Sequence, residues 1–461
     1  MKTLEGKKIA VVGLAASGRA AARLALERGG EVHVSDLRTD PAAHAGGAEL
    51  RRLGADVDLG EHPFARIAAA ETVVVSPGIP PDAPVLRELS RRDIRWVSEP
   101  EFAFRFFDGP LIAVTGTNGK TTTAALVAHL LEEDGQDVAL GGNIGEAIGP
   151  PASELALRKE GPDWYVVEMS SFQLAGIDAF RPDIGVMTNL APDHLDWYSS
   201  VESYYADKAK LFGNATADSR WVLNGDDAAV EALAEGVPGS HFYFTRARDG
   251  RPGSFVDEGT LTLDVSGTEE PLVPVDALRL LGAHNVENSL AAAVTARLAG
   301  AAVESVRRGL TTARSLPHRT EHVGDAGGVQ WINDSKATNV AAACTAISSF
   351  PGETLIVLLG GKDKGEDFSP LIGPLARAGA SVVAFGEAGP RIVGTLEDHV
   401  PVELVAGDFE SIVRTASERA GPPGTVLLSP ACSSFDMFAS YEERGGRFSE
   451  IARVVQKEEG S

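Results

Sequence analysis

Between Leu111 and Glu133 an apolar run, LIAVT, breaks into GTNGKTTT and resumes as the alanine-rich AALVAHLLEE. The pattern predicts a buried strand, a glycine-rich loop and a helix in direct succession, which commits the surrounding chain to an α/β architecture. Backbone N–H groups between Gly116 and Lys120, with the positive end of the following helix, suit an anion, and Lys120 adds a full charge. Thr121 follows the lysine, where phosphate loops place a Mg²⁺ ligand. The G-x-x-G-K-T spacing is about two residues tighter than G-x-x-x-x-G-K-[ST], so lysine, hydroxyl and flanking elements carry the reading together.

A chain of 461 residues exceeds what one hydrophobic core serves, and roughly two to four domains are expected. The net charge of -23 excludes a general affinity for nucleic acid or anionic membranes, so a phosphate ligand must be held by local positive features. Cys344 and Cys432 stand alone, without the paired spacings of a zinc site or a disulfide framework, which favours a reducing compartment. MKTLEGKKIAVVGLA reads as a first strand rather than a signal peptide, and no stretch approaches a membrane span. The expectation is a cytoplasmic monomer acting on small molecules.

The first strand, Lys8 to Val12, runs into a glycine turn and helix, and a second strand, Glu31 to Ser35, ends at Asp36. This opens a doubly wound domain, whose ligands sit beyond the carboxyl ends of the strands. The dinucleotide fingerprint appears as Gly13, Ala15 and Gly18, and the Ala15 methyl hinders close approach of a pyrophosphate, which disfavours a nicotinamide cofactor. A further strand from Thr72 breaks at Pro77 and Gly78, at the ligand edge or in an ordinary rigid turn.

Downstream of the phosphate loop, the strand Trp164 to Val167 ends in Glu168, with Ser170 and Ser171 behind it. An acid in that place reads as a Mg²⁺ ligand in preference to a helix cap. The strand Ile184 to Thr188 leads to Asp193, His194 and Asp196 on the same sheet edge, where His194 is a ligand or a capping residue. In SVESYYADKAKLF, Lys208 shares the apolar helix face with Tyr204 and Leu211, and Lys210 is turned about 160° away. Snorkelling of Lys208 is the favoured expectation, with a buried, chemically modifiable amine as the alternative.

The strand Trp221 to Leu223 ends in NGDD, and Val222 to Asp227 is expected to close this sheet edge, with antiparallel strands from Gly239 to Val275 packed at the side. A long helix beginning near Asn285 carries Asn288 in its first turn, as a base reader or a cap. After LPHRTEHV a second doubly wound sheet is expected from Val329–Asn333, Thr354–Leu359, Ser381–Phe385 and TVLLSPACSSFDMF. Its strand ends carry DSKATN, GGKDKGEDF and SPACSSFD.

In this order the motifs resemble those of the ATP-dependent Mur ligases of peptidoglycan synthesis: GTNGKTT as phosphate loop, NVENSLAA as adenine-proximal helix, LPHRTE as entry to the third domain. EMSSFQL, NLAPDHLD, WINDSKATN and LLSPACSSFDMF resemble the branch that adds D-glutamate to UDP-N-acetylmuramoyl-L-alanine. The resemblance implies an α/β protein of three domains. These are a Rossmann-like uridine-nucleotide domain (1–105), a central phosphate-loop ATPase domain with a mainly parallel sheet (106–314) and a Rossmann-like amino-acid domain (315–461).

It implies that Gly116, Thr117, Asn118, Gly119, Lys120, Thr121 and Thr122 hold ATP phosphates, with Asn288, Arg319 and Asp334 on the nucleotide. Two Mg²⁺ would be held by Thr121, Glu168, His194 and Lys208, the last as its CO₂ adduct, so that Lys120, Glu168, His194 and Lys208 carry the chemistry. Ser17, Asp36, Arg38, Ser76, Pro77 and Gly78 would hold the uridine diphosphate and Asn143 the sugar-peptide end, with Ser170 and His194 also binding substrate. Lys336, Thr338, Lys364, Ser434, Phe435 and Tyr441 would line the amino-acid pocket. Tyr441 stands where relatives carry phenylalanine and Ala16 where a larger residue is common. A folylpolyglutamate synthetase, a nicotinamide oxidoreductase and a non-enzymatic nucleotide switch are the rival readings, each weakened by the third-domain motifs or by Ala15.

Overall fold

Five apolar runs in the first hundred residues form parallel strands: β1 (Lys8–Val12), β2 (Glu31–Asp36), β3 (Asp56–Leu59), β4 (Thr72–Val75) and β5 (Val97–Ser98). Their order, β3-β2-β1-β4-β5, reverses direction between β1 and β4, and the crevice at such a reversal is where doubly wound sheets take ligands. The computed structural model describes residues 3–80, 83–145, 147–194, 197–280, 282–350 and 354–459, and Asp196 lies outside the described residues.

The second sheet contains β6 (Leu111–Thr115), β7 (Val138–Gly142), β8 (Trp164–Glu168), β9 (Ile184–Met187), β10 (Arg220–Asn224), β11 (Ser240–Thr245), β12 (Gly253–Asp257), β13 (Thr260–Asp264) and β14 (Glu270–Pro274). Its order is β14-β13-β12-β11-β10-β9-β6-β8-β7. The strand before the phosphate loop is thus flanked by β8 and β9, whose ends carry Glu168 and Thr188. All five residues of β6 are buried, as a strand covered on both faces requires.

The 239–275 region departs from expectation. β10 does not close the sheet, because β11 pairs parallel to it and β12 parallel to β11, and only β13 and β14 run antiparallel. Trp221 to Asn224 are buried in succession on both faces of β10, a property of an interior strand rather than an edge.

Helix Glu99–Phe104 joins the two sheets. Glu99 and Glu101 are fully buried there. Glu101 Oε2 accepts the N–H groups of Asp178, Ala179 and Phe180 at 3.0, 3.0 and 2.8 Å, and Glu99 accepts from the Ser153 N–H. Burial pushes the Glu99 carboxyl up to about 7, against the pull of its hydrogen bond. Two carboxylates on one short helix therefore satisfy backbone donors that would otherwise be orphaned between the domains.

The third sheet contains β15 (Glu321–Ala326), β16 (Val329–Asn333), β17 (Leu355–Gly360), β18 (Ser381–Phe385), β19 (Val402–Leu404) and β20 (Gly424–Ala431), in the order β15-β16-β20-β17-β18-β19. β15 is an antiparallel edge and the rest are parallel. Sequence reading passes over β15 and β19, one interrupted by Gly324 and acids, the other three residues long. Clusters of buried aliphatic and aromatic side chains cover both faces of this sheet.

The chain divides into two compact units, 1–277 with 287–312 and 278–286 with 313–461. Both cysteines are free, and among the described residues no helix is long and apolar enough to cross a membrane.

Candidate functional site

The loop after β6 is fixed from two sides. Gly119 caps helix Lys120–Glu133 at φ +80°, and a Cβ there would lie 2.3 Å from Asn288 Oδ1, so only glycine allows the two segments to meet. From the other side the Thr117 N–H donates to the Asn189 carbonyl (2.8 Å), the Asn118 N–H to Asn189 Oδ1 (2.8 Å) and Thr188 Oγ1 to the Asn118 carbonyl (2.6 Å). Lys120 Nζ donates to the Thr117 carbonyl at 2.7 Å, which lays the cation across the loop. Thr121 is buried in the first helical turn and Thr122 half-buried. The turn presents N–H groups without intrahelical partners beside a positive charge, an arrangement for a polyanion.

Asn288 is the sixth residue of helix Ala283–Leu298 rather than a first-turn residue, and its Oδ1 accepts from Thr123 Oγ1 at 3.2 Å. Its amide supports the phosphate loop from behind.

Glu168, at the end of β8, is 2% exposed. Asn143 Nδ2 donates to its Oε1 at 3.3 Å, and its Oε2 has no partner among the described residues. A buried carboxylate oxygen without a donor is costly unless a cation shares it, and with the Thr121 hydroxyl this donor set fits Mg²⁺. No group of three or more His, Cys, Asp or Glu side chains forms a ready-made cage among the described residues.

Lys208 does not snorkel. It is 1% exposed, its Nζ donates to the Gly116 carbonyl at 2.6 Å, and the amine lies 4.8 Å from the centre of the Tyr204 ring. Burial, reinforced by the charge of Lys120, drives its pKa well below the usual lysine value, against the pull of Asp193 and Glu168. Tyr204 and the phosphate-loop backbone leave the side chain no path to water, which overturns the favoured expectation. Lys210 instead reaches Asp207 at 2.8 Å and keeps a half-exposed side chain.

His194 sits at φ +55°, a strained conformation for a side-chain-bearing residue. Its ring packs edge-on against Phe172 (5.0 Å between ring centres) and Tyr204 (6.1 Å), and its Nε2 lies 3.7 Å from Asp193. Ser170 spends its hydroxyl on a reciprocal cap with Gln173.

At the carboxyl edge of the first sheet, Asp36 Oδ2 accepts the Leu14 N–H (2.6 Å) and Oδ1 the Arg38 N–H (2.8 Å), and Arg38 Nη2 pairs with Oδ2 (2.9 Å). Burial raises the Asp36 carboxyl, but the Arg38 and Leu14 hydrogen bonds outweigh it and hold the group below the usual range. Asp36 therefore ties the end of β2 to the glycine turn after β1. Ser76 is buried behind that turn, Ser17 and Pro77 are half-buried and Gly78 is exposed.

In the second unit, β20 lies between β16 and β17, which brings the loops after all three together. Lys336 Nζ lies 3.9 Å from the centre of the Tyr441 ring, and Lys364 Nζ donates to the Thr338 carbonyl at 2.8 Å. Ser434 is buried, whereas Phe435 is 68% exposed. Asp334 accepts from the Thr320 N–H (3.1 Å) and Ser429 Oγ (2.9 Å), and burial pushes its carboxyl up to about 7. Arg319, half-buried, adjoins Asp334 closely enough to oppose that rise.

Three family models match the chain in order: the Mur ligase MurD-like N-terminal domain at residues 7–98, the Mur ligase middle domain at 114–296 and the Mur ligase glutamate ligase domain at 318–432. The UDP-N-acetylmuramoylalanine–D-glutamate ligase of Acidobacterium capsulatum is 42% identical over 97% of this chain and 96% of its own. The enzyme of the same name from Geobacillus kaustophilus is 38% identical, over 96% of each chain. The chain belongs to the Mur ligase family.

Solved Mur ligases share the fold. The UDP-N-acetylmuramate-alanine ligase of Thermotoga maritima superposes with a TM-score of 0.62 at 19% identity, covering 97% of this chain and all of its own. The MurF ligase of Thermotoga maritima, solved with ADP, gives 0.58 at 18% identity over 99% and 96%. In this Mur ligase, Lys120, Thr121, Glu168, Lys208 and Asn288 gather around one loop, and Lys336, Thr338, Lys364 and Tyr441 around another strand-end cluster. Sequence reading missed Thr188 and Asn189, which hold the loop. Their signal was available, as polar residues ending a strand adjacent to the loop's own.

Proposed function

We propose that this Mur ligase joins D-glutamate to UDP-N-acetylmuramoyl-L-alanine at the expense of ATP. The observation that carries the reading is 42% identity along 97% of the chain to a D-glutamate ligase. ATP, consumed as a substrate, transfers its terminal phosphoryl group to the alanyl carboxylate and leaves ADP. The amine of D-glutamate, having lost its proton, attacks the acyl carbon, and phosphate departs as the amide forms.

Gly116 to Thr122 and Lys120 orient the phosphates, so that their charge meets fixed N–H dipoles and a cation rather than reorganising water. Two Mg²⁺ would be held by Thr121, Glu168, His194 and Lys208, and Mg²⁺ supplies charge neutralisation on phosphoryl oxygens. As a neutral amine, Lys208 can attack CO₂: an N–C bond forms, one C=O π bond becomes an oxyanion, and the nitrogen releases a proton. The resulting carbamate offers oxygens where an ammonium offers none.

Asn288, Arg319 and Asp334 are assigned to the nucleotide. Ser17, Asp36, Arg38, Ser76, Pro77 and Gly78 are assigned to the uridine diphosphate, Asn143 to the sugar-peptide end, and Ser170 and His194 to substrate binding. Lys336, Thr338, Lys364, Ser434, Phe435 and Tyr441 receive the amino acid.

An isotope experiment tests the acyl phosphate. With ¹⁸O in both oxygens of the alanyl carboxylate, each turnover should place one label in inorganic phosphate and leave one in the amide carbonyl. Unlabelled phosphate, or label in AMP, would exclude this route.

A further inference from the structure

One buried cation has no place in the reaction as assigned. Arg444 lies in the first turns of helix Tyr441–Glu459 and is fully buried. Its Nε donates to Ser335 Oγ (3.0 Å), Nη1 to the Ser433 carbonyl (3.2 Å), and Nη2 to the carbonyls of Ser335 (2.9 Å) and Cys432 (3.1 Å). Every acceptor is neutral, and among the described residues no carboxylate lies within ion-pair distance of it.

These contacts join neighbouring strand ends. Ser335 follows β16, and Cys432 and Ser433 follow β20. The loop after β17 is tied in as well, because the Ser433 carbonyl also accepts the Lys362 N–H at 2.8 Å. At Gly361, φ +129°, a Cβ would lie 3.0 Å from Nη1, so the third loop closes on the guanidinium only with glycine there.

We propose that Arg444 is a positioning residue for the amino-acid pocket, its guanidinium clamping the loops after β16, β17 and β20 in the one arrangement that presents their side chains to D-glutamate. The inference rests on the assignment of Lys336, Thr338, Lys364, Ser434 and Phe435 to that pocket. Each of them stands within three residues of a group bound to Arg444 or to the Ser433 carbonyl it holds. Arg444 is sealed behind the loops, whereas Lys364 and Phe435 are exposed, so it acts through them rather than on the substrate. The planar fork of five donors suits several acceptors at fixed angles, which a lysine cannot reproduce. Burial lowers the Arg444 pKa to about 10, so the group stays charged at neutral pH and adds positive potential behind a pocket for an anion.

Steady-state kinetics on Ser335→Ala, Arg444→Lys and Lys364→Ala, with melting curves, test the proposal. Ser335→Ala removes one acceptor and keeps the buried arginine, so it remains informative if Arg444→Lys fails to fold. Both should raise KM for D-glutamate by ~10-fold or more, with KM for ATP and the uridine substrate within about twofold. If Lys364→Ala raises KM for D-glutamate by ~10- to 150-fold and neither clamp variant does, the clamp is overturned and the pocket stands. An unchanged KM for D-glutamate in Lys364→Ala overturns the pocket assignment itself. A parallel rise of all three KM values with a lowered melting temperature reduces Arg444 to a structural residue and also overturns the proposal.

Discussion

Lys208→Ala should lose at least ~100-fold in turnover and recover part of it when formate or acetate is added, whereas Lys210→Ala should behave as the unmodified enzyme. The amine of Lys208 is sealed between Tyr204 and the Gly116 carbonyl, and burial lowers its pKa, which favours the neutral form that the proposed CO₂ adduct requires. Removing the side chain leaves a cavity and an acceptor without its donor, so lost activity alone would not separate a structural role from a chemical one. Rescue does separate them, because a small carboxylate can supply the oxygens of the missing carbamate but cannot donate to Gly116. Near-normal turnover in Lys208→Ala would remove the residue from the mechanism, and an inactive Lys210→Ala would contradict the helix register observed here.

Lys120→Ala should fold normally and also lose at least ~100-fold in turnover, the scale on which one preorganised electrostatic group contributes. The loop has backbone supports besides this side chain. Gly119 against Asn288 and the Asn189 contacts hold the backbone, and the Lys120 amine also donates to the Thr117 carbonyl. A melting temperature close to that of the unmodified protein, with collapsed phosphate release, is the expected pair of readings. A variant that turns over normally would take the loop out of phosphoryl transfer.

The strand, loop and helix around Lys120 were legible because each is local: an unbroken apolar run, glycines at a turn and an alanine-rich helix follow one another within 23 residues of Leu111–Glu133. The helical face of Lys208 was legible for the same reason, from its spacing to Tyr204 and Leu211. Its depth was not, since the group covering it is the Gly116 carbonyl, 92 positions away. Asn288 was placed on the correct helix, but its contact with the loop arises from packing between segments 165 residues apart.

The continuation of the central sheet beyond β10 was misread because Gly and charged residues interrupt 239–275, as they do in separate hairpins. Arg444 gave no signal at all. EERGGR, starting at Glu442, reads as a solvated helix face, and only the convergence of three strand ends turns its third residue, Arg444, inward.

The central claim is that ATP cleavage here is coupled to capture of one enantiomer of one amino acid. Phosphate release from ATP in the presence of UDP-N-acetylmuramoyl-L-alanine, with D-glutamate or L-glutamate added in parallel, measures it directly. Release should be sustained with D-glutamate, and stay at background with L-glutamate or with either substrate omitted. Equal release with the two enantiomers, or release that continues undiminished without an amino acid, would contradict it.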